Sequence, residues 1–242
     1  MNTRNPLLSI ALVAFLLPGC NGPVKEETTP LKIDMDFSGT STDWAGGYAD
    51  YAPDTQPDDV IVETRRLPEP FAGNGLYTSG TNRSDDLFIY IKKKFPGFLP
   101  NHDYLLNFSV TFLTDAPAGC VGVGGPPGES VTLKAGATPI EPLTILVDGE
   151  YRMNIDKGEQ VNSGKDAIAL GDIAGTNTDC DRPVFESKTL ASSTLLKATS
   201  DAGGSMWLMF GIDSGFEAAS EIYYQSATVA ASPANLVINH DD

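Results

Sequence analysis

Histidine is almost missing from this chain, with two among 242 residues. His102 lies in the turn Pro100-Asn101-His102-Asp103, and His240 lies near the end. A Ser-His-Asp or Cys-His device needs an imidazole held in place, and neither position offers one. Cysteine is also scarce, at three, with no Cys-x-x-Cys pair and no neighbouring His, which excludes zinc modules. Basic residues are half as numerous as acidic ones, 16 against 32, for a net charge of −16. Such a surface repels a phosphate backbone, so nucleic acid is excluded as a partner. High net charge also keeps a protein soluble. Long apolar runs are absent too. Leu7 to Leu17, interrupted only by Ser9, is apolar. As a helix it would be about 16 Å long at roughly 1.5 Å per residue. That is too short for a hydrocarbon core of about 30 Å. No stretch repeats its apolar residues with helical period.

Arg4 and the amino terminus give this run a positive start, and Leu17-Pro18-Gly19-Cys20 closes it. This is the anatomy of a secretory signal peptide. The ending resembles the lipobox of bacterial lipoproteins. The resemblance implies diacylation of Cys20, cleavage after Gly19 and anchoring to a membrane. Pro18 departs from the commoner Ala, Ser or Thr at its place. Asn21 is not Asp, which under the enteric sorting rule favours the outer membrane. The expected location is the bacterial cell envelope. With Cys20 lipidated, Cys120 and Cys180 remain as a pair in an oxidising compartment, where a disulfide is expected. The domain plan is a signal peptide over 1–19, Cys20 and a polar tether over 20–30, one domain over 31–237 and a frayed tail over 238–242.

The domain is all β. Leu31, Ile33, Met35 and Phe37 alternate with Lys32, Asp34 and Asp36, the period of a half-buried strand. Similar patterns predict strands over 60–67, 87–95, 104–114, 131–134, 143–147, 151–155, 167–170, 184–190, 194–199 and 221–230. Ser205 to Ile212 is apolar almost throughout, as in a strand buried on both faces, and places Trp207 in the core. Lys92 to Lys94 look like charges guarding an exposed edge. The stretch 39–59 reads as a loop, and Gly73-Asn74-Gly75 and Ser79-Gly80-Thr81-Asn82 read as turns. Many short strands divided by turn residues predict a single β-sandwich or jelly roll. Phe98-Leu99-Pro100-Asn101-His102-Asp103-Tyr104, followed by Leu106, Phe108 and Val110, resembles the turn and central strand of galactose-binding-like jelly rolls. The closing pair Met206 to Gly211 and Ile222 to Val229 fits the same pattern. The resemblance implies that fold, with carbohydrate as a common ligand and calcium as a common structural ion.

Several motifs fail on inspection. Gly122 to Gly128 has no Gly-Lys-Ser/Thr and opens no helix, so it is not a phosphate loop. Asp34-Met35-Asp36 begins like an EF-hand, but the loop's last position is Ala45, where a bidentate Glu is required. The candidate ligand site is Trp44, Tyr48 and Tyr51 with Asp43 and Asp50. Aromatic faces stack on sugar C–H faces, and carboxylates accept hydroxyl hydrogens. The candidate calcium ligands are Asp156, Glu159, Gln160, Asn162, Asp166 and Asp172, since Ca²⁺ takes hard oxygens from irregular acidic loops. The functional expectation is a non-enzymatic, lipid-anchored module binding carbohydrate or an envelope partner. Two alternatives stand beside it, a glycan-active jelly roll cutting with two carboxylates and a purely structural envelope protein.

Overall fold

A computed structural model describes residues 30–40 and 42–234, and the signal peptide, Cys20 and the tail fall outside them. Among the described residues the chain forms fourteen strands and one turn of 3-10 helix. Strands β1 (Leu31–Asp36), β3 (Asp58–Arg66), β4 (Asn74–Thr81), β6 (Asp103–Thr114), β11 (Glu186–Ala191), β12 (Leu196–Thr199) and β14 (Ala219–Pro233) make a seven-stranded sheet. Its path is β11-β6-β14-β4-β3, with β1 paired to β14 and β12 to β6. Strands β2 (Ala45–Ala49), β5 (Leu87–Pro96), β7 (Val131–Thr138), β10 (Ala167–Asp172) and β13 (Ser205–Ser214) make a five-stranded sheet in the order β10-β7-β13-β5-β2. β8 (Thr144–Val147) and β9 (Glu150–Met153) form a separate hairpin. Every pairing is antiparallel. The molecule is a β-sandwich, as its alternating sequence indicates.

Period-two alternation builds the core between the two sheets. Leu87, Ile89 and Ile91 of β5, Leu133 and Ala135 of β7, and Leu208, Phe210 and Ile212 of β13 meet Leu106, Phe108, Val110, Tyr224 and Val229 of the other sheet. The turn before β6 is held by Tyr104, whose hydroxyl accepts the N–H of Leu99 at 2.8 Å. Phe98 meets the same ring edge-on at 5.1 Å. Cys120 and Cys180 are joined in a disulfide, as expected.

The outer face of the five-stranded sheet is covered by the chain itself. Phe88, Tyr90 and Met209 pack there with Ile155, Ala167 and Met153 in a second apolar cluster. The cover is residues 139–166, which leave β7, run through the β8–β9 hairpin and return to β10. This explains why β13 is buried on both faces. It also corrects two expectations. β5 lies between β13 and β2, not at an edge. Its Lys92 is buried, donating to the Pro142 carbonyl at 2.6 Å and pairing with Glu141 at 2.8 Å, and so ties down the cover. Trp207 is not core but half-buried on the outer face, with the Lys92 amine 5.7 Å from its ring.

Two strands escape the sequence reading. β2 lies inside the stretch read as a loop, and β4 inside the stretch read as turns. In β4, Gly75 sits against the neighbouring strand so closely that a Cβ would come within 2.8 Å of the Tyr224 carbonyl oxygen. Glycine there permits close packing within a strand.

Candidate functional site

The five residues proposed to bind a ligand are split by the length of β2. At its start, Trp44 packs against Phe37, Phe95 and Phe210, with ring centroids 5.4, 5.8 and 5.7 Å away. It closes the edge of the core. Asp43 beside it pairs with Lys93 at 2.5 Å. A small cavity of about 180 Å³ lies over these two residues. At the other end of β2, Tyr48 and Tyr51 stack at 5.3 Å, and Tyr51 stacks on Tyr151 of β9 at 4.8 Å. The backbone joins the hairpin here, with Tyr151 N–H donating to the Tyr51 carbonyl at 2.8 Å. Both faces of Tyr51 are therefore taken. Burial and the neighbouring Tyr48 push its hydroxyl up to about 12.

The candidate calcium ligands do not converge. Asp156 accepts the N–H groups of Gly158 and Lys165, each at 3.0 Å, and these bonds hold its carboxyl below the usual range. Asp166 accepts the N–H of Asp156 at 2.9 Å. The amide of Gln160 donates to the Asp85 carbonyl at 2.9 Å, and the carbonyl of Asn162 accepts from Lys134. Glu159 stands exposed at the loop's rim. Asp172 pairs with Lys188 at 2.8 Å, outside the loop. The acidic side chains close the loop on itself instead of facing a common point.

Among the described residues, one group of three carboxylates brings an oxygen from each within 4.8 Å of the others: Asp50, Asp86 and Asp213. Asp50 follows β2, Asp86 precedes β5 and Asp213 lies on the outer face of β13. Two lysines enter the same point. Lys157 Nζ lies 2.7 Å from Asp213 Oδ2 and 2.8 Å from Asp50 Oδ2, the second close in distance but without hydrogen-bond geometry. Lys134 Nζ lies 2.9 Å from Asp213 Oδ2. Lys134 and Asp213 are wholly buried, Asp50 and Lys157 nearly so. Burial pushes Lys134 down, with Asp213 opposing. Burial opposes the charge on Lys157 as well, but Asp213 and Asp50 outweigh it and raise that amine. Asp50 is raised by burial against the pull of Lys157. Asp86 is pushed up to about 8, by burial first and then by Asp213. A divalent ion does not fit here. Two ammonium groups already stand against the carboxylates, and a further double charge would leave the buried group positive.

Above this cluster a groove opens. One part, about 340 Å³, is lined by Asp50, Asp86, Arg152, Asp156, Lys157 and Glu159 among others. A second, about 240 Å³, is lined by Asp50, Tyr51, Asp85, Asp86, Glu150 and Arg152 among others. The two share Asp50, Asp86 and Arg152. Arg152 is exposed and pairs with Glu150. The lining is rich in acceptors and holds few donors.

No family model matches the sequence, and no curated protein matches it. Solved structures do. The chain is similar to the family 11 carbohydrate-binding module of the cellulosomal cellulase Lic26A-Cel5E of Clostridium thermocellum, at 10% identity and a TM-score of 0.36, over 84% of this chain and 94% of that one. It is similar to TmCBM27, a carbohydrate-binding module described for specific mannan recognition, at 10% identity and a TM-score of 0.36, over 84% and 98%. The enzymatically active domain of bacteriophage CBA120 tailspike protein 4 matches at 10% and 0.33, over 76% of this chain but 19% of that one. The chain thus spans about a fifth of the tailspike chain. All three scores fall below 0.5, so these likenesses carry no argument about ligand. The sandwich itself rests on the strand pairing above.

Sequence reasoning missed Asp86, Lys134, Lys157 and Arg152, and it read Asp213 with Ser214 and Glu217 as a minor calcium cluster in a loop, where Asp213 lies on β13. A signal for the meeting of Lys134 with Asp213 is present. Lys134 and Asp213 each interrupt an apolar strand on its outer face, with opposite charge, and two such strands can pair.

Proposed function

We propose that the chain is a lipid-anchored, non-catalytic module of the bacterial envelope that binds an uncharged, hydroxyl-rich ligand, an oligosaccharide, in the groove over Asp50 and Asp86. The observation that carries this reading is the meeting of two cavities at Asp50, Asp86 and Arg152. The larger part, about 340 Å³, lies within the range of small-molecule sites, about 300 to 1,000 Å³, and the smaller, about 240 Å³, extends it. The lining supports a ligand made of donors. Asp50, Asp85, Asp86, Glu150, Asp156 and Glu159 supply carboxyl oxygens, and Arg152 supplies a planar donor. The same oxygens, in a chain of net charge −16, disfavour uronates, sulfates and phosphates. Tyr51 lines the second part of the groove.

The cleavage reading has a specific pair to offer, since Asp50 and Asp86 both line the groove. Their oxygens lie within 4.8 Å, under the roughly 5 Å at which a retaining glycosidase sets its pair. Asp50 is also tied to Lys157. Binding without cleavage is the better reading.

The test is a glycan array probed with the full chain in detergent, carrying neutral and anionic oligosaccharides. Neutral glycans are expected to retain it and anionic ones not. Retention confined to anionic glycans, or none at all, overturns the reading. Anchoring rests on the lipobox. Radiolabelled palmitate is expected to enter the protein and Cys20→Ala to release it from membranes; a variant that stays membrane-bound contradicts the anchor.

A further inference from the structure

We propose that a single proton held between Asp86 and Asp213 neutralises a five-group cluster at the floor of the groove, which latches residues 152–166 across the five-stranded sheet, and that raising the pH removes the proton and loosens the latch. The inference stands without the glycan reading.

Charge counting comes first. Asp50, Asp86 and Asp213 face Lys134 and Lys157, so with every group ionised one negative charge is left over. Asp213 is fully buried. Its Oδ2 takes both ammonium groups, at 2.7 and 2.9 Å, while its Oδ1 has no donor. The buried Oδ1 of Asp86 has no donor either. Two ionised carboxylates are acceptors only, and facing each other with Asp213 fully buried and Asp86 half-buried they repel. One proton turns one of them into a donor and brings the cluster to neutrality.

The groups around Asp86 come from every element packed on it. Asp213 faces it from β13, Lys134 from β7, Asp50 from the end of β2, and Lys157 from the segment after β9. Arg152 and Glu150 of β9 and the adjacent Asp85 share its groove. The raised carboxyl of Asp86, at about 8, agrees with the geometry.

The cluster is also what holds the cover down. Lys134 reaches out of the sheet and donates to the carbonyls of Lys157 and Asn162, both at 3.0 Å. Lys157 reaches in, donating to Asp213 at 2.7 Å and to the Gly158 carbonyl at 3.1 Å. Beneath lie Phe88, Tyr90 and Met209, sealed by Ile155. An ionised Asp86 repels Asp213 and Asp50 and competes with Asp213 for the two ammonium groups that hold the segment. Asp156 and Glu159 of the latched segment line the groove, so loosening it reshapes that wall.

The sign follows from linkage. The folded carboxyl of Asp86 binds its proton more tightly than the unfolded one. Its contribution is complete below about pH 4 and is lost as pH rises from there to about 8. One proton changes the unfolding equilibrium up to about tenfold per pH unit. Asp50 and Asp115 are also raised by burial, so the diagnostic quantity is the difference between wild type and Asp86→Asn. Asn keeps an N–H donor for Asp213.

The experiment is denaturant unfolding of the full chain at pH 5, 7 and 9, with hydrogen exchange read at residues 155–166. Between pH 5 and 7 the wild-type unfolding constant is expected to rise up to about a hundredfold relative to that of Asp86→Asn. Exchange in 155–166, corrected for its intrinsic pH dependence, is expected to quicken at pH 9 in the wild type only. Equal pH slopes, or exchange unchanged in the wild type, overturn the proposal. Should Asp86→Asn fail to fold, a carboxyl-carbon NMR titration of the wild type decides. An Asp86 midpoint near 8 supports the proposal, and one below 5 overturns it.

Discussion

Tyr224 shows how a single atom can sit at odds with a well-filled core. Its ring is fully buried against Phe37 and Phe210, and its hydroxyl has no partner. Burial alone drives that hydroxyl's titration upward. An unpaired buried hydroxyl costs about 1–3 kcal/mol. Tyr224→Phe keeps the ring and removes the cost, so it is expected to leave the melting temperature unchanged or raise it. A clear fall would mean that the hydroxyl is bonded. The lysines illustrate the opposite case. Lys134 and Lys157 are buried with their charges, and each is met by a carboxylate and by carbonyl oxygens. Buried ions persist only under such full partnership.

At the scale of elements, β2 does two jobs. Its start anchors Trp44 in the core, and its end carries Asp50 and the tyrosine stack toward the groove. Trp44→Ala is therefore expected to cost about 2–3 kcal/mol, below the 3–5 of a fully buried aromatic, as a fall in denaturation midpoint. An unchanged midpoint with lost glycan retention would make Trp44 a ligand contact instead. Most strands were legible because each buries one face: β1, β6 and β14 alternate clearly in the sequence. β4 was not, since Gly75 and Gly80 read as turns and their role lies in tight packing across strands. β2 was hidden because Gly46 and Gly47 carry no apolar signal. The acidic loop was legible as a loop, but not in purpose. Spacing alone does not tell whether a carboxylate meets an ion, a backbone N–H or a lysine from a strand far away in sequence. Trp207 was misplaced because the run around it is apolar on both faces, and nothing local reveals that the cover stops short of it.

The whole molecule is a sandwich with one sheet face sheltered by its own excursion. The disulfide between Cys120 and Cys180 closes a loop of 60 residues, which stabilises the fold by about 4 kcal/mol in the chain-entropy model. Residues 139–166 close over the middle of the five-stranded sheet. The groove at Asp50, Asp86 and Arg152 opens beside them, and Trp207 lies half-buried on the same outer face. Arg152 is half-exposed and its pair with Glu150 contributes little to stability, so it can be removed without disturbing the fold. The direct measurement is the affinity of the full chain for a neutral oligosaccharide retained on the array, compared among wild type, Arg152→Ala and Trp207→Ala. Arg152→Ala is expected to weaken binding at least about tenfold, the loss of roughly 1.4 kcal/mol of contact, at an unchanged melting temperature, with Trp207→Ala binding as wild type. Full affinity in Arg152→Ala and none in Trp207→Ala would contradict the account and move the site to the open end of the sheet.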